Sequence, residues 1–150
     1  MAAFGTYNVL VQAFEQKVRE SFGRQAFMAT IRAELASVTL GGVEIVLPFG
    51  TKLTQQNGFL HAGIITSILD SACGYAALSV APENAEVLSV EFKVNLLAPA
   101  VGESFIARAQ VKRAGKTLTV CTADAFALNQ GNEKLVATMQ TTIMNMTPQP

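Results

Sequence analysis

This chain has 150 residues, of which half are hydrophobic and only 15% are charged. The length is sufficient for a domain with a sizeable core, and the composition excludes a disordered chain. Eleven basic and eleven acidic residues cancel, so no strong positive field exists to attract nucleic acid or a membrane surface. We expect a single domain over residues 1–150 with extensive burial, part of it at subunit interfaces.

The chain shows no targeting or metal-binding pattern. Its first residues do not show the charged segment followed by an apolar core that is typical of a signal peptide. Its most apolar stretch, after His61, is interrupted by Asp70 and by hydroxyl side chains. Cytoplasmic residence without a membrane partner is therefore the default expectation. Cys73 and Cys121 lie in apolar surroundings without a Cys-x-x-Cys pair, and the chain has one histidine. We expect reduced, buried thiols and no metal site.

The first third of the chain predicts a helix followed by a hairpin. Apolar residues recur at helical spacing from a candidate cap at Asn8 to a glycine stop at Gly23. Residues 31–37 then alternate between apolar and polar types, which predicts a strand. The pair Gly41-Gly42 predicts the turn to a returning strand at 43–47.

A polar loop at 51–60, with a predicted turn at Asn57-Gly58, precedes a helix from about Ala62 to about Val80. This helix is apolar on nearly all sides, which is typical of burial in a core. Four strands follow, at 87–97, 104–114, 117–129 and 135–145. In the first of them, one face carries Leu88, Val90, Phe92, Val94 and Leu96, and the other carries Ser89, Glu91, Lys93 and Asn95. We predict an α+β fold in which an antiparallel sheet wraps the central helix.

The apolar helix carries one carboxylate, Asp70, and a charge in such a helix is costly unless it is paired or used. His61 and Ala62 stand at the helix start, where free backbone N–H groups bind anions. A carboxylate and an oxyanion-binding helix end are the parts required to attack a carbonyl group. Two simpler interpretations remain: a carboxylate that neighbouring donors satisfy, and a histidine that only supports its loop.

The run Gln55-x5-His61-Ala62-Gly63-x6-Asp70 resembles the motif of the hotdog-fold acyl-CoA thioesterases, and most closely their phenylacetic-acid-degradation branch. Residues 90–100 and 113–118 resemble that family's third strand and basic hairpin, so the resemblance covers about residues 30 to 145. It implies a hotdog fold and hydrolysis of an acyl-CoA thioester. It also implies a dimer or tetramer with composite sites, and no cofactor, because coenzyme A is part of the substrate.

The resemblance assigns roles residue by residue. The carboxylate matching Asp70 is a nucleophile or general base, and the backbone N–H matching Ala62 polarises the thioester carbonyl. The amide matching Gln55 orients water or the thioester, and His61 matches a residue that supports the loop. Ser89 matches a hydroxyl residue that assists catalysis in one branch of the family, when the alignment allows an insertion of one residue. Many relatives have glycine in place of Ala62, and we expect its methyl group to narrow the acyl pocket.

Other residues have weaker assignments. Lys93, Arg113 and Lys116 are the candidate contacts for the phosphates of coenzyme A, with solvated surface charge as the alternative. Candidate pocket-lining aromatic residues, with core packing as the alternative, are Phe27, Phe49, Phe59 and Tyr75.

The spacing of the motif predicts a shared site. Nine residues separate His61 from Asp70, which places them about 13 Å apart along the helix axis and on opposite faces. Two antiparallel helices about a two-fold axis would bring Asp70 of one chain to the helix start of the other. Two other functions stay open: a hotdog dehydratase or hydratase acting on acyl carrier protein, and a non-catalytic acyl-CoA binding module.

Overall fold

The computed structural model describes residues 2–146, with side chains from residue 13 onward. The predicted tail at 147–150 lies outside the described residues. The helices are α1 (Ala2–Gly23), α2 (Ala26–Ile31) and α3 (Ala62–Val80), with a 3-10 turn at Thr51–Leu53. The strands are β1 (Glu34–Thr39), β2 (Gly42–Pro48), β3 (Glu86–Leu96), β4 (Ser104–Ala114), β5 (Leu118–Asn129) and β6 (Asn132–Met146).

The six strands form one antiparallel sheet in the order β1-β2-β4-β5-β6-β3. Short hairpins join β4 to β5 and β5 to β6, whereas β3 lies at the far edge beside β6. Helix α3 contacts all six strands, so the sheet curves around it. This architecture confirms the predicted α+β fold with a sheet wrapped around the central helix.

Small side chains on both sides of the interface allow the sheet to lie close to α3. The helix presents Ala72, Cys73 and Ala76, all with no exposed surface. The facing strand positions are also mostly alanine, each no more than 2% exposed: Ala107, Ala109, Ala123, Ala125, Ala127 and Ala137. Close approach of this kind gives the dense packing of a protein interior.

Within the described residues, α3 is the one helix long and apolar enough to cross a membrane by length and composition. In the structure, most of its side chains are buried against the sheet. The need to fill a core therefore accounts for its apolar character, as the sequence predicted.

The N-terminal region differs from the prediction in two places. Helix α1 begins at Ala2, so Asn8 lies inside the helix and does not cap it. Residues Ala26–Ile31 form helix α2, where the alternation had predicted that a strand begins at Ile31. Met28 and Ile31, three residues apart, are the buried residues of α2, and one such pair is enough to hold a single helical turn against the core. The predicted stop at Gly23 is confirmed.

Candidate active site

The start of α3 presents one unused backbone donor. His61 caps the helix: its Nδ1 accepts a hydrogen bond from the Gly63 N–H at 2.9 Å, and its own N–H donates to the Leu53 carbonyl at 2.9 Å. Gly63 fits this cap because an added Cβ would lie 3.0 Å from that Nδ1. The Ala62 N–H makes no hydrogen bond within the described residues, and Ala62 is exposed. It can therefore donate to a bound anion.

A tight turn fixes Gln55 beside the helix start. The Gly58 N–H donates to the Gln55 carbonyl at 3.0 Å, and Gly58 has a φ of +84°, which glycine adopts readily. The predicted turn at Asn57-Gly58 is thus confirmed. The Asn57 N–H donates to the side-chain Oε1 of Gln55. Since that oxygen is engaged, the amide group of Gln55 offers mainly its Nε2–H donors to a ligand.

Gln55 and Ala62 line the same cavity, which has a volume of about 400 Å³. Among the described residues that line it, Gln55 is the one polar residue, and much of the wall comes from the end of β3 and the turn that follows. Among its apolar lining residues are Phe59, Leu60, Ile65, Leu96 and Leu97. We name this space the Gln55 cavity.

A second cavity, of about 370 Å³, lies against other faces of the first turns of α3. Its lining includes Phe27, Lys52, His61 and Ser67, and we name it the Lys52 cavity. Of the four aromatic residues proposed from sequence as pocket linings, Phe27 and Phe59 therefore border cavities. Phe49 and Tyr75 instead pack against or within the core.

Asp70 lies farther along α3 and is half-buried, on the less buried side of the helix that it shares with Thr66, Ser67 and Gly74. The hydroxyl of Ser89, on β3, donates a hydrogen bond to Asp70 Oδ1 at 2.7 Å. No other hydrogen bond to Asp70 forms within the described residues, so Oδ2 is free. A hydrogen bond from a neutral hydroxyl to a carboxylate stabilises and orients the charged form.

A β-bulge in β3 explains how Ser89 reaches Asp70. The register of β3 against β6 shifts between Ser89 and Glu91, which makes Val90 the extra residue. Before the bulge, Ser89 pairs with Ile143, which is fully buried; after it, Phe92 pairs with the buried Thr141. Ser89 and Phe92 therefore share the face that α3 covers.

This bulge corrects the predicted faces of β3. Strict alternation had placed Ser89 with Glu91 and Lys93, opposite Phe92, and that grouping is wrong because Val90 shifts the pattern by one residue.

The two halves of the predicted site are separate within one chain. Asp70 does not line the Gln55 cavity. Ala62 and Asp70 are eight residues apart in α3, or about 12 Å along its axis. The structure thus brings Gln55 to Ala62, and Ser89 to Asp70, but it does not bring the two pairs together.

The three basic residues proposed to contact the phosphates of coenzyme A lie in two different parts of the structure. Lys93 is exposed and follows the bulge on the outer face of the sheet, away from α3. Arg113 and Lys116 belong to the β4–β5 hairpin, whose tip is held by a hydrogen bond from Asn145 Nδ2 to the Lys116 carbonyl at 3.3 Å. Because Asn145 pairs with β3 two residues before Ser89, this hairpin lies near the Asp70 end of the site.

Burial disfavours the thiolate form of both cysteines at neutral pH. Burial raises the pKa of the Cys121 thiol to about 12. Burial also raises the pKa of Cys73, with smaller contributions from Cys121 and Asp70. Both thiols are buried and unpaired, as predicted. Within the described residues, no group of three or more His, Cys, Asp or Glu side chains could hold a metal ion.

Comparison with known proteins identifies the family. The sequence model of the thioesterase superfamily matches residues 57–134. A crystal structure of a thioesterase family protein from Silicibacter pomeroyi is 53% identical, with a TM-score of 0.89, and the match covers 90% of this chain and 99% of that chain. The PaaI protein of the phenylacetic acid degradation operon of E. coli has the same fold at 20% identity, with a TM-score of 0.81 over 91% of this chain and 96% of that chain.

Curated relatives agree over shorter spans. The "Putative esterase SSO2140" of Saccharolobus solfataricus is 35% identical over 80 residues, which are 53% of this chain and 56% of that protein. The match therefore spans little more than half the length of that relative. The "Putative esterase SSO1253" of the same organism is 28% identical over 121 residues, or 81% of this chain and 78% of that protein. The sheet wrapped around α3 is the hotdog thioesterase fold, and this chain belongs to the thioesterase superfamily.

Proposed function

We propose that this protein hydrolyses an acyl-CoA thioester to a free acid and coenzyme A. Membership of the thioesterase superfamily supports thioester hydrolysis in general. The observation that carries the specific proposal is Asp70, a half-buried carboxylate in an apolar helix. Among the described side chains, Ser89 donates a hydrogen bond to one of its oxygens and none donates to the other. A catalytic carboxylate requires this combination of orientation and access.

In this mechanism, Asp70 accepts a proton from a water molecule, and the resulting hydroxide attacks the thioester carbonyl carbon. The carbonyl oxygen becomes an oxyanion, which the Ala62 N–H and the Nε2–H of Gln55 stabilise. The C–S bond then breaks, and the departing sulfur takes up the proton that Asp70 received. Direct attack by Asp70, giving a mixed anhydride that water hydrolyses, is the alternative with the same residues.

This mechanism requires two chains, because one chain keeps Asp70 away from Ala62. The edge strand β3 provides the means of association. Within residues 2–146, one side of its backbone has no strand neighbour, and its apolar side chains Leu88, Phe92 and Leu96 are 45–54% exposed. A long apolar edge of this kind is normally covered by another strand or chain. We therefore include a homodimer, or a tetramer built from it, in the proposal.

Pairing of β3 with a second copy supports the shared site. Around a two-fold axis near the middle of β3, two antiparallel β3 strands place Ser89, in the N-terminal half, opposite the C-terminal half of the partner's strand. In each chain, Asp70 contacts β3 at Ser89, whereas the Gln55 cavity borders β3 at Leu96. Asp70 of one chain consequently approaches the cavity and the Ala62 N–H of the other.

The thiol end of the substrate carries phosphates, and these require cations. Arg113 and Lys116 are better placed for this than Lys93, because their hairpin lies near the Asp70 end of the site. The mechanism uses no metal or other cofactor. Cytoplasmic residence is part of the proposal, and the two free, buried cysteines are compatible with it.

Substitution of Asp70 tests the assignment. We expect Asp70→Asn to keep the fold, because the amide oxygen can still accept from Ser89, and to lower thiol release from acyl-CoA by at least about 100-fold. The matched control is Asp124→Asn, which makes the same change on an exposed residue of β5. Thiol release is followed in a panel of aryl-, short- and long-chain acyl-CoA substrates.

The same assay separates the alternatives. A binding module releases no thiol from any substrate, and a dehydratase turns over hydroxyacyl thioesters without thiol release. The capping bond to Gly63 already engages Nδ1 of His61, which leaves only Nε2 for the chemistry that a dehydratase assigns to histidine. Turnover near the wild-type rate in folded Asp70→Asn protein would show that this carboxylate is structural.

A further inference from the structure

On the basis of the proposed function, we infer that the Gln55 cavity receives the acyl group of the substrate. The cavity selects uncharged, apolar acyl groups, and Phe59 limits the length of the acyl chain. The position of the cavity supports the first part. Ala62, whose N–H binds the oxyanion in the proposed mechanism, is also part of the cavity wall. The acyl chain begins at the carbon atom that carries this oxyanion, so it starts at the cavity wall.

The composition of the two cavities decides which one the acyl chain enters. The Lys52 cavity is lined by a cation and by the polar side chains of Thr54, His61 and Ser67. The Gln55 cavity has one polar lining residue, and Gln55 directs its Oε1 back to its own turn. A hydrocarbon chain gains free energy in proportion to the apolar surface that it removes from water, which favours the Gln55 cavity.

The same lining discriminates against charge. None of the described residues that one chain contributes to the lining of the Gln55 cavity carries a positive charge that could pair with a carboxylate. Burial of an unpaired carboxylate is strongly unfavourable. Acyl groups that end in a carboxylate, such as succinyl and adipoyl, are therefore excluded, although they match neutral acyl groups in length. At about 400 Å³, the cavity is near the lower end of the range for small-molecule sites, about 300–1,000 Å³.

Phe59 is the side chain best placed to limit acyl length. It follows the turn that orients Gln55, and its carbonyl accepts the Gln55 N–H at 2.9 Å, so its backbone is fixed. Its ring lines the cavity while remaining 39% exposed. Truncation of this ring extends the cavity without emptying the core.

The test compares two matched variants. Phe59→Ala enlarges the Gln55 cavity. Phe27→Ala makes the same truncation at a similarly exposed phenylalanine of the Lys52 cavity, which is 46% exposed. Thiol release is measured for straight-chain acyl-CoA substrates from acetyl to dodecanoyl, and for succinyl- and adipoyl-CoA. Thermal unfolding confirms that each variant is folded.

For the wild-type enzyme, we expect kcat/KM to rise about fourfold per methylene until the cavity is full. We expect it to be at least about 100-fold lower for adipoyl-CoA than for hexanoyl-CoA. Phe59→Ala should raise the ratio of kcat/KM for dodecanoyl-CoA to that for hexanoyl-CoA by about tenfold. Phe27→Ala should leave this ratio unchanged.

The outcomes separate this inference from the proposed function. If no acyl-CoA releases thiol, the proposed function fails. If thiol is released but adipoyl-CoA is hydrolysed as well as hexanoyl-CoA, the selectivity for uncharged acyl groups is refuted. If Phe27→Ala changes the length profile and Phe59→Ala does not, the acyl group occupies the Lys52 cavity.

Discussion

The hydrogen bond from Ser89 to Asp70 is open to a direct test, because alanine at position 89 removes the donor and leaves the strand intact. At 2.7 Å, this bond joins a hydroxyl group to the carboxylate that the mechanism uses. A hydrogen bond to a charged group contributes about 1.5–3 kcal/mol. If the whole contribution is expressed in the transition state, Ser89→Ala lowers kcat/KM by about 10- to 150-fold, since each 1.36 kcal/mol is a factor of about ten.

Two further variants determine whether the loss comes from catalysis or from structure. Ser89→Thr keeps a hydroxyl group and suits a strand, so we expect it to recover most of the activity. The control is Ser37→Ala: Ser37 is also half-buried, on the opposite edge strand β1, and also adjoins a register shift. We expect it to retain wild-type kcat/KM. The assay is thiol release with thermal unfolding in parallel, and equal activity of Ser89→Ala and wild type would refute the role of the hydroxyl.

Two other predictions concern the rest of the fold. Arg108 pairs with Glu44 at 2.8 Å and with Glu133 at 2.6 Å, and its hydrogen bond lowers the pKa of Glu133 below the ordinary 4.5. This pairing adds stability above pH 4.5 that is lost as the pH falls below it, so the urea midpoints of wild type and Arg108→Gln should differ at pH 7 and converge in acid. Because burial raises the pKa of both thiols, a thiol-specific reagent at pH 8 should leave Cys73 and Cys121 unmodified in the native protein and modify both after unfolding. Rapid native labelling of either would contradict their burial.

The parts of the fold that the sequence predicted well are those with long, unbroken patterns. Helix α3 has the predicted bounds because its nineteen residues are mostly apolar and contain no proline, and they follow a polar loop. The hairpin turn at Gly41-Gly42 was also predicted correctly, because Gly41 has a φ of +80°, a conformation that glycine adopts readily. Helix α2 was missed because six residues are too few for periodicity to separate a helix from a strand.

The site was only partly predictable for two physical reasons. The bulge at Val90 follows from the pairing of β3 with β6, which lies about fifty residues later in the chain, and alternation along β3 alone gives no sign of it. The Gln55 cavity joins a loop before α3 to the end of β3, so its apolar wall follows from the path of the chain between them. The chemical residue types and the distance of Asp70 from the helix start were visible in the sequence, whereas the contact of Ser89 with Asp70 and the shared cavity of Gln55 and Ala62 required the fold.

The separation of these halves leads to the strongest test of the mechanism, a complementation experiment between two inactive chains. Gln55→Ala removes one oxyanion donor and should lower kcat by about 10²- to 10³-fold, and Asp70→Asn removes the base. A heterodimer of the two contains one site with Gln55 from the Asp70→Asn chain and Asp70 from the Gln55→Ala chain, while its second site has both lesions. Because one of two sites is intact, activity should recover to about half of wild type per dimer. Differently tagged chains, co-expressed and purified through both tags, provide this heterodimer, with each homodimer as a control. If each site lay within one chain, every site in the heterodimer would keep one lesion, and its activity would not exceed the mean of the two parents.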